Sequence, residues 1–306
     1  GSSNTGMSIS GDFAKPVPLV NPCPATSGAV SSYEAAAQAT PQASNDTYGT
    51  SINGTTSPEN NYQIDGLSRN NAGFGVNGAR LSIEFVKEVN VLTGGYMPEY
   101  GAAGGGILSA VTKSGSNDYH GSGWFYITPG AIEGDRKLIS AFGQTVKTTR
   151  NLGNIFDLGA DVGGPLIKAK LWFYTGFIYA RTTYDLDKVI QNSNSGPVED
   201  TRRTYQSGRE DIQVFGKLTY GINKHNKVSV TGYALPSQSG GSNRIQIDPL
   251  LGVPGVGNVA GSPDSLFNEG STNTFSLQCD WDTETNAKKV LLKNTFGWMH
   301  QTENTN

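Results

Sequence analysis

Asn154-Ile155-Phe156-Asp157-Leu158-Gly159-Ala160-Asp161-Val162 is the stretch on which the fold class turns. Its even positions are mostly apolar, and the odd ones after Ile155 carry Asp or Gly. A period of two residues belongs to an extended strand with one apolar and one polar face. The pattern repeats downstream. In Asp211 to Ile222, the residues Ile212, Val214, Leu218, Tyr220 and Ile222 alternate with Asp211, Gln213, Lys217 and Thr219, and Phe215 breaks the rule. Between Thr274 and Trp281, the residues Phe275, Leu277, Cys279 and Trp281 oppose Thr274, Ser276, Gln278 and Asp280. Val290, Leu292, Phe296 and Trp298 then share a side, with Asn294 the exception.

With Tyr119 to Thr128, Leu171 to Tyr184 and Val228 to Ala234 added, seven strands of about ten residues are expected after Gly115. Their connections sort by length. Those at Gly164 to Lys170, Asn223 to Lys227 and Thr283 to Lys288 are short, and those at Pro129 to Arg150, Asp187 to Arg209 and Leu235 to Gly270 are long. A soluble sandwich has no general reason to alternate in this way, because both ends of its sheets face water. A membrane barrel has one, with short turns on one rim and long loops on the other. Aromatic residues near the expected strand ends, including Trp172, Tyr179, Tyr184, Tyr220, Trp281 and Trp298, fit interfacial girdles.

Composition narrows the class further. Of 306 residues 40 are Gly, while only 16% are charged, against about 25% in ordinary soluble domains. This favours strands and turns over a helical enzyme. The net charge of −3 offers no general attraction for nucleic acid. No run approaches the ~18 apolar residues of a spanning helix, and a mean hydropathy of −0.38 is compatible with a barrel that shows lipid only alternate residues. The opening Gly1-Ser2-Ser3-Asn4 has no signal-peptide character, and a processed or excised chain is expected. Cys23 and Cys279 form no Cys-x-x-Cys pair, so no zinc or redox motif is written; two unpaired thiols are expected, with a disulfide the alternative.

The part before Pro58 is polar, Ala-rich and proline-punctuated, with one expected helix over Ser32 to Ala39, capped by Ser32. The next part is a small α+β unit. Asn61-Tyr62-Gln63-Ile64 runs into the turn signal Asp65-Gly66. Ser82 to Glu88 reads as a short amphipathic helix with Ile83, Val86 and Val89 on one side, followed by strands at Val89 to Thr93 and Ile107 to Thr112.

This middle segment resembles the plug of TonB-dependent outer-membrane receptors. The likeness rests on Asn61 to Gly66, Ile83 to Val91, Tyr100-Gly101, Gly104-Gly105-Gly106-Ile107 and Val111 to Gly115. Thr93 to Gly101 and Thr112 to Gly121 resemble the Oar-like branch in particular, and Gly163 to Ile167 with Leu171 to Tyr174 resemble the first part of its barrel. The resemblance implies a mainly β fold: an α+β plug over 1–118, best matched over 55–115, then antiparallel strands of a transmembrane β-barrel over 119–306. It also implies a receptor of the cell outer membrane that moves a ligand with energy from the TonB-ExbB-ExbD complex, in contact with outer-membrane lipid and without a cofactor or nucleic-acid partner. The plug-motif positions it marks are Tyr62, Asp65, Gly66, Glu84, Val86, Val89, Gly94, Gly95, Tyr100, Gly101, Gly105, Thr112, Lys113 and Gly115. Their implied role is to seat and release the plug, not to catalyse. A TonB box is not identifiable before Asn61, and Ala102 stands where relatives often carry Arg.

Length adds a constraint. Past Asp118 fewer than 200 residues remain, and the barrel of about 22 strands that the resemblance implies, at about 9–11 residues each, would exhaust them. The expectation is an N-terminal portion of a longer receptor, with a closed barrel of about eight strands as the fallback. Three other readings stand beside it. An enzyme would draw on His120, His225 and His300, but no nucleophile elbow, metalloprotease helix or phosphate loop occurs, and Gly73 to Gly78 fits a dinucleotide motif only superficially. A non-transporting adhesin or scaffold, or protein export through the same barrel, would use the long loops; Ser237 to Asp248 could hold Ca²⁺ there, with a simply solvated loop the preferred reading. A soluble β-sandwich is the third.

Overall fold

The computed structural model describes residues 5–14, 32–46, 48–96, 101, 103–132, 139–141, 144–146, 150–188, 191–192, 196–197, 203–248, 254, 267–284 and 290–305. Strand β1 (Thr5–Ser10), the small hairpin β2 (Ala43–Asn45) and β3 (Thr50–Ile52), then β4 (Asn61–Ile64), β5 (Leu67–Ser68), β6 (Val86–Gly94) and β7 (Ile107–Thr112) build an inner unit. Its main sheet has the order β1-β6-β7-β4-β5, with β4 parallel to β7 and the other pairs antiparallel. The Asp65-Gly66 signal is a tight hairpin turn: φ is 49° at Asp65 and 87° at Gly66, the left-handed pair that a twisted two-residue loop requires. Ser32 caps the helix Tyr33–Ala36 by accepting from the Glu34 N–H, and a 3₁₀ turn carries it on through Ala39.

The helix expected over Ser82 to Glu88 is not formed. Only Ile83–Phe85 makes a 3₁₀ turn, capped by Ser82, and the chain is extended from Val86 onward. The register between β6 and β7 shifts between Val86 and Glu88. This bulge adds one residue to the strand, so Val86 and Val89 both point inward although they are three apart. That spacing imitated a helical face.

All seven expected outer strands are present, as β8 (His120–Pro129), β9 (Arg150–Ile167), β10 (Leu171–Lys188), β11 (Arg203–Asn223), β12 (Asn226–Gly240), β14 (Glu269–Glu284) and β15 (Leu291–Thr305), with β13 (Arg244–Ile245) added parallel to β11. Each of the seven pairs antiparallel with its neighbour in the chain, in the order β15-β14-β12-β11-β10-β9-β8. The expected length of about ten residues falls short, since β11 alone has 21. The apolar outward face does not run the whole length of the strands; toward the long loops it gives way to charged residues, as at the cross-strand pair Arg181–Glu210, 3.6 Å apart. Among the described residues β8 pairs only with β9 and β15 only with β14, so a closed eight-stranded barrel is not formed.

The faces run opposite to those of a soluble sheet. Asp157 and Asp161 are buried, whereas Leu158 is 50% and Val162 43% exposed. Phe125, Phe177, Phe275, Leu277, Phe296 and Trp298 are likewise exposed. The polar face of the sheet lies against the inner unit, and the apolar face is turned away from it. A β-sandwich buries its apolar faces against each other, so that reading is excluded.

Candidate functional site

The residues that carry the chemistry lie where the inner unit meets the polar face of the sheet. Asp65, held on the tight turn, accepts from the Thr112 N–H (2.9 Å) and the Thr112 hydroxyl (2.6 Å) within the unit. Lys217 of β11 reaches across to Asp65 Oδ2 at 2.9 Å and to Thr112 Oγ1 at 2.8 Å. The Lys217 and Asp65 side chains are only 10% and 7% exposed, so the pair is a buried one. Gln278 of β14 donates to the Asp65 carbonyl at 3.0 Å.

A second ion pair lies beside it. Lys113 Nζ is 3.2 Å from Asp161 Oδ2 of β9 and stands over the Tyr174 ring at 5.9 Å. Asp161 also accepts from the Tyr174 hydroxyl (2.7 Å) and from Ser122 N–H and Oγ (both 2.8 Å), which fixes the carboxylate before the lysine arrives. One turn away, Glu84 accepts from the Tyr126 hydroxyl at 3.0 Å.

Between these polar groups the plug core and the wall residues Ile155, Tyr174, Ile178, Phe215 and Tyr233 share one buried apolar cluster, with Phe85 as its aromatic anchor. Phe85, fully buried, stacks on Phe215 with ring centroids 5.5 Å apart and meets Trp124 edge-on at 6.4 Å. Phe215 is the residue that broke the alternation of its strand, and it does so by placing an aromatic ring on the polar face. Gly176 makes room for the anchor: a Cβ there would lie 2.3 Å from the Phe85 ring. Backbone groups complete the seam. Gln213 accepts from the Ser82 N–H and donates to the Arg80 carbonyl, both at 2.9 Å, and Thr274 donates to the Gly78 carbonyl at 3.2 Å. Arg69 donates to Gln278 at 2.7 Å, and Asn71 to Gln301 at 3.0 Å. Near Asn71, Arg80, Arg209 and Thr272 a recess of about 70 Å³ stays open between the layers, enough for a few waters.

Inside the unit, Glu34 accepts from the Thr50 N–H (3.1 Å) and from Asn77 (3.2 Å). Burial raises its pKa above the usual carboxylate range despite the nearby Arg80 and these hydrogen bonds. Burial, and then the Glu34 charge, push the Tyr33 and Tyr62 hydroxyls upward as well.

The histidines do not gather. His120 lies beside Ser116 (3.3 Å) at the start of β8, His225 sits in the turn after β11, and His300 stacks on Trp298 at 5.9 Å on the apolar face. Among the described residues no group of His, Cys, Asp or Glu could hold a metal ion. The candidate Ca²⁺ loop instead folds inward, with Ile245 and Ile247 buried and their backbones tied to Ser207 and Ser239. Cys279 is a free thiol, and Cys23 lies outside the described residues.

No protein-family model matches the chain. Along its whole length it is 41% identical, over 323 aligned residues, to the TonB-dependent transporter Oar of Myxococcus xanthus. By sequence and fold, the chain belongs to the TonB-dependent receptors. It spans 30% of the length of that curated relative. The siderophore receptor PirA of Acinetobacter baumannii has the same fold, with a TM-score of 0.60 at 17% identity over 97% of this chain and 40% of that one. So does the outer-membrane transporter YddB of Escherichia coli, with a TM-score of 0.61 at 15% identity over 98% of this chain and 39% of that one. The inner unit is thus the plug of a TonB-dependent receptor, and the long-stranded sheet is part of its barrel wall. These relatives are receptors and transporters, and the enzyme reading is set aside on that ground.

Of the plug-motif positions, Asp65, Glu84, Thr112, Lys113 and Gly115 come together along the seam with the wall. Tyr62, Val86 and Val89 are buried in the plug core, where the Tyr62 hydroxyl donates to the Ser57 carbonyl at 3.0 Å. Gly66 completes the Asp65 turn, Gly94 ends β6 with Gly95 after it, Gly101 has a φ of +78°, and Gly105 packs on Asn60 and Thr55. Tyr100 and Ala102 lie outside the described residues. The wall's half of the seam, Lys217, Asp161, Tyr174, Phe215, Gln213 and Gln278, was not among the expected site residues. Part of its signal was present: Asp161, Gln213, Lys217 and Gln278 are polar-face positions of the alternating strands, and Phe215 is the exception to that alternation.

Gly115 holds the junction between plug and wall, because a Cβ there would stand 2.2 Å from the Phe173 carbonyl and 2.9 Å from that of Gly164. Both are backbone atoms in paired strands and neither can yield. Gly115→Ala is expected to cost about 1–3 kcal/mol, as overpacking does. A melting midpoint unchanged from wild type in detergent would contradict the close approach.

Proposed function

We propose that the chain is the plug and opening barrel wall of an outer-membrane receptor that moves a ligand inward with energy delivered by TonB-ExbB-ExbD. In this reading residues 1–118 are the plug, with 55–115 its core, and 119–306 the first part of the barrel. The observation that carries it is the character of the seam. Two ion pairs and a line of hydrogen bonds join plug to wall around an apolar cluster shared by both, in which Phe85 meets Phe215, with a small recess left between the layers. Each polar contact can be exchanged for water one at a time, so a stopper held this way is stable at rest and yields to a directed pull. Asp65, Thr112, Lys113 and Glu84 have seating roles, and the plug glycines allow close packing within the lumen.

Strand β1 supports coupling to a partner. It forms an edge of the plug sheet, and Ile9 alone among its residues is buried. An exposed edge is where a partner joins by strand addition. A ligand engaging the outer loops and the plug loop at Asn71 to Gly78 would then bias the seam toward release.

Two measurements test this. Deleting 58–113 should leave the reconstituted barrel leaky to small solutes; unchanged permeability would contradict the plug role. A photoreactive residue at Ser8 should cross-link to TonB in energised cells. If no adduct forms, or if it forms equally in de-energised cells, coupling through β1 is wrong.

A further inference from the structure

The outward apolar band of the wall stops abruptly on the short-turn side. Its last exposed members there are Leu166 and Ile167 on β9, Tyr220 and Ile222 on β11, Trp281 on β14, and Leu291 on β15 with Val290 just before it. Directly past this border stand the exposed lysines Lys168 and Lys170, in the turn from β9 to β10, and Lys224, in the turn from β11 to β12.

The turns that carry these cations are braced. Lys170 N–H donates to the Ile167 carbonyl (3.1 Å), and the Lys170 carbonyl accepts from the Gly221 N–H (2.8 Å) of the next strand. Asn117 accepts from both the Ala169 N–H (2.9 Å) and the Trp172 indole (2.8 Å). In the other turn Asn223 accepts from the His225 N–H at 2.9 Å, and the His225 carbonyl from the Glu284 N–H at 2.8 Å. The Lys170 ammonium lies 5.7 Å above the ring of Tyr220, an exposed aromatic at the band's edge. The cations therefore stand just past the last apolar residues, on hydrogen-bonded turns.

Among the described residues the charge bias belongs to this end. Lys227 stands across from Asp282, which with Glu284 continues the polar, lumen-facing set of β14, and Asp118 belongs to the linker before β8. At the long-loop end the outward face carries both signs, as in Arg181–Glu210. The chain's net charge of −3 hides this local excess of positive charge.

We propose that Lys168, Lys170 and Lys224 form a docking surface for the phosphate headgroups of anionic phospholipids in the leaflet at the short-turn rim. The apolar band seats the acyl chains beside them, and the lysines select the headgroup. A basic side chain at an anionic membrane surface favours it by about fivefold, weakened by salt over a Debye length. The surface rests on the reading of this sheet as a membrane-spanning wall.

The test uses the protein at its native length, reconstituted in nanodiscs of mixed phosphatidylethanolamine and phosphatidylglycerol and then extracted gently for quantification of the retained lipid. The wild type is expected to retain phosphatidylglycerol about fivefold above its share of the mixture. The K168Q/K170Q/K224Q variant should retain the bulk ratio, and K168R/K170R/K224R should keep the enrichment. Should the triple Gln variant fail to fold, as judged by heat-modifiable mobility, K224Q alone and added salt should each lower the enrichment of the folded protein. A wild type with the bulk ratio, or Gln variants as enriched as wild type, would overturn the proposal. Insertion into purely zwitterionic nanodiscs separates the two ideas: insertion without selectivity sinks only the lysine surface, whereas failure to insert in any bilayer sinks the membrane reading beneath it.

Discussion

Lys217→Met is expected to destabilise the seated plug by about 3–5 kcal/mol, the usual result of removing one partner from a buried ion pair. The Asp65 carboxylate, 7% exposed in the wild type, would keep the Thr112 hydroxyl as a donor and lose its cation. Water would have to enter the seam or Asp65 would have to take a proton, and either disturbs the turn on which β4 and β5 meet. Asp65→Asn should cost a similar amount for the mirrored reason. The combination D65N/K217M should recover most of the loss, because it leaves no charge buried and keeps an acceptor for Thr112. Amide exchange in β6 and β7 reads the plug directly, and solute leakage through the reconstituted barrel reads its seating. A single substitution that shifts exchange by less than about 1 kcal/mol would mean that the pair behaves as a solvent-exposed one, and the seating role would fail.

The second large effect concerns the aromatic anchor. Phe85→Ala removes a fully buried ring and should cost about 3–5 kcal/mol. Gly176→Ala attacks the same contact from the wall, because its Cβ would meet the ring at 2.3 Å. Phe85 cannot retreat, with Phe215 stacked on one side and Trp124 against its edge. About 1–3 kcal/mol is expected from that collision. The combination F85A/G176A should be less damaging than the two losses added together, because the truncated side chain leaves space for the new methyl. Plain additivity in urea unfolding would show that residue 176 and residue 85 do not meet.

The strand count, the alternation of short and long connections and the polarity of each face were legible because they are local. An extended chain sends successive side chains to opposite faces wherever it occurs, so Leu158 and Asp157 separate whatever lies next to them. The tight turn at Asp65-Gly66 and the cap at Ser32 were legible for the same reason. The segment after Ser82 misled because a bulge at Lys87 and Glu88 spaces Val86 from Val89 as a helix would, and a bulge exists only in relation to the partner strand β7. Strand lengths were underread because alternation ends where the wall leaves the apolar band, while the backbone ladder continues on its own hydrogen bonds to Arg203 in β11.

What the chain's own order of residues determined is which side of each ribbon seeks lipid and which seeks polar company. Which polar residue then meets which was decided only by the fold. Lys217 and Asp65 are 152 positions apart, and Gln278 and Arg69 are 209 apart. Nothing in either neighbourhood names the other, because a buried charge is satisfied by whichever counter-charge the packing of plug against wall brings within about 3 Å. Phe215 is the plainest case. As a residue in a strand it is an error in the alternation, and its place is explained only when the ring of Phe85 comes to rest upon it.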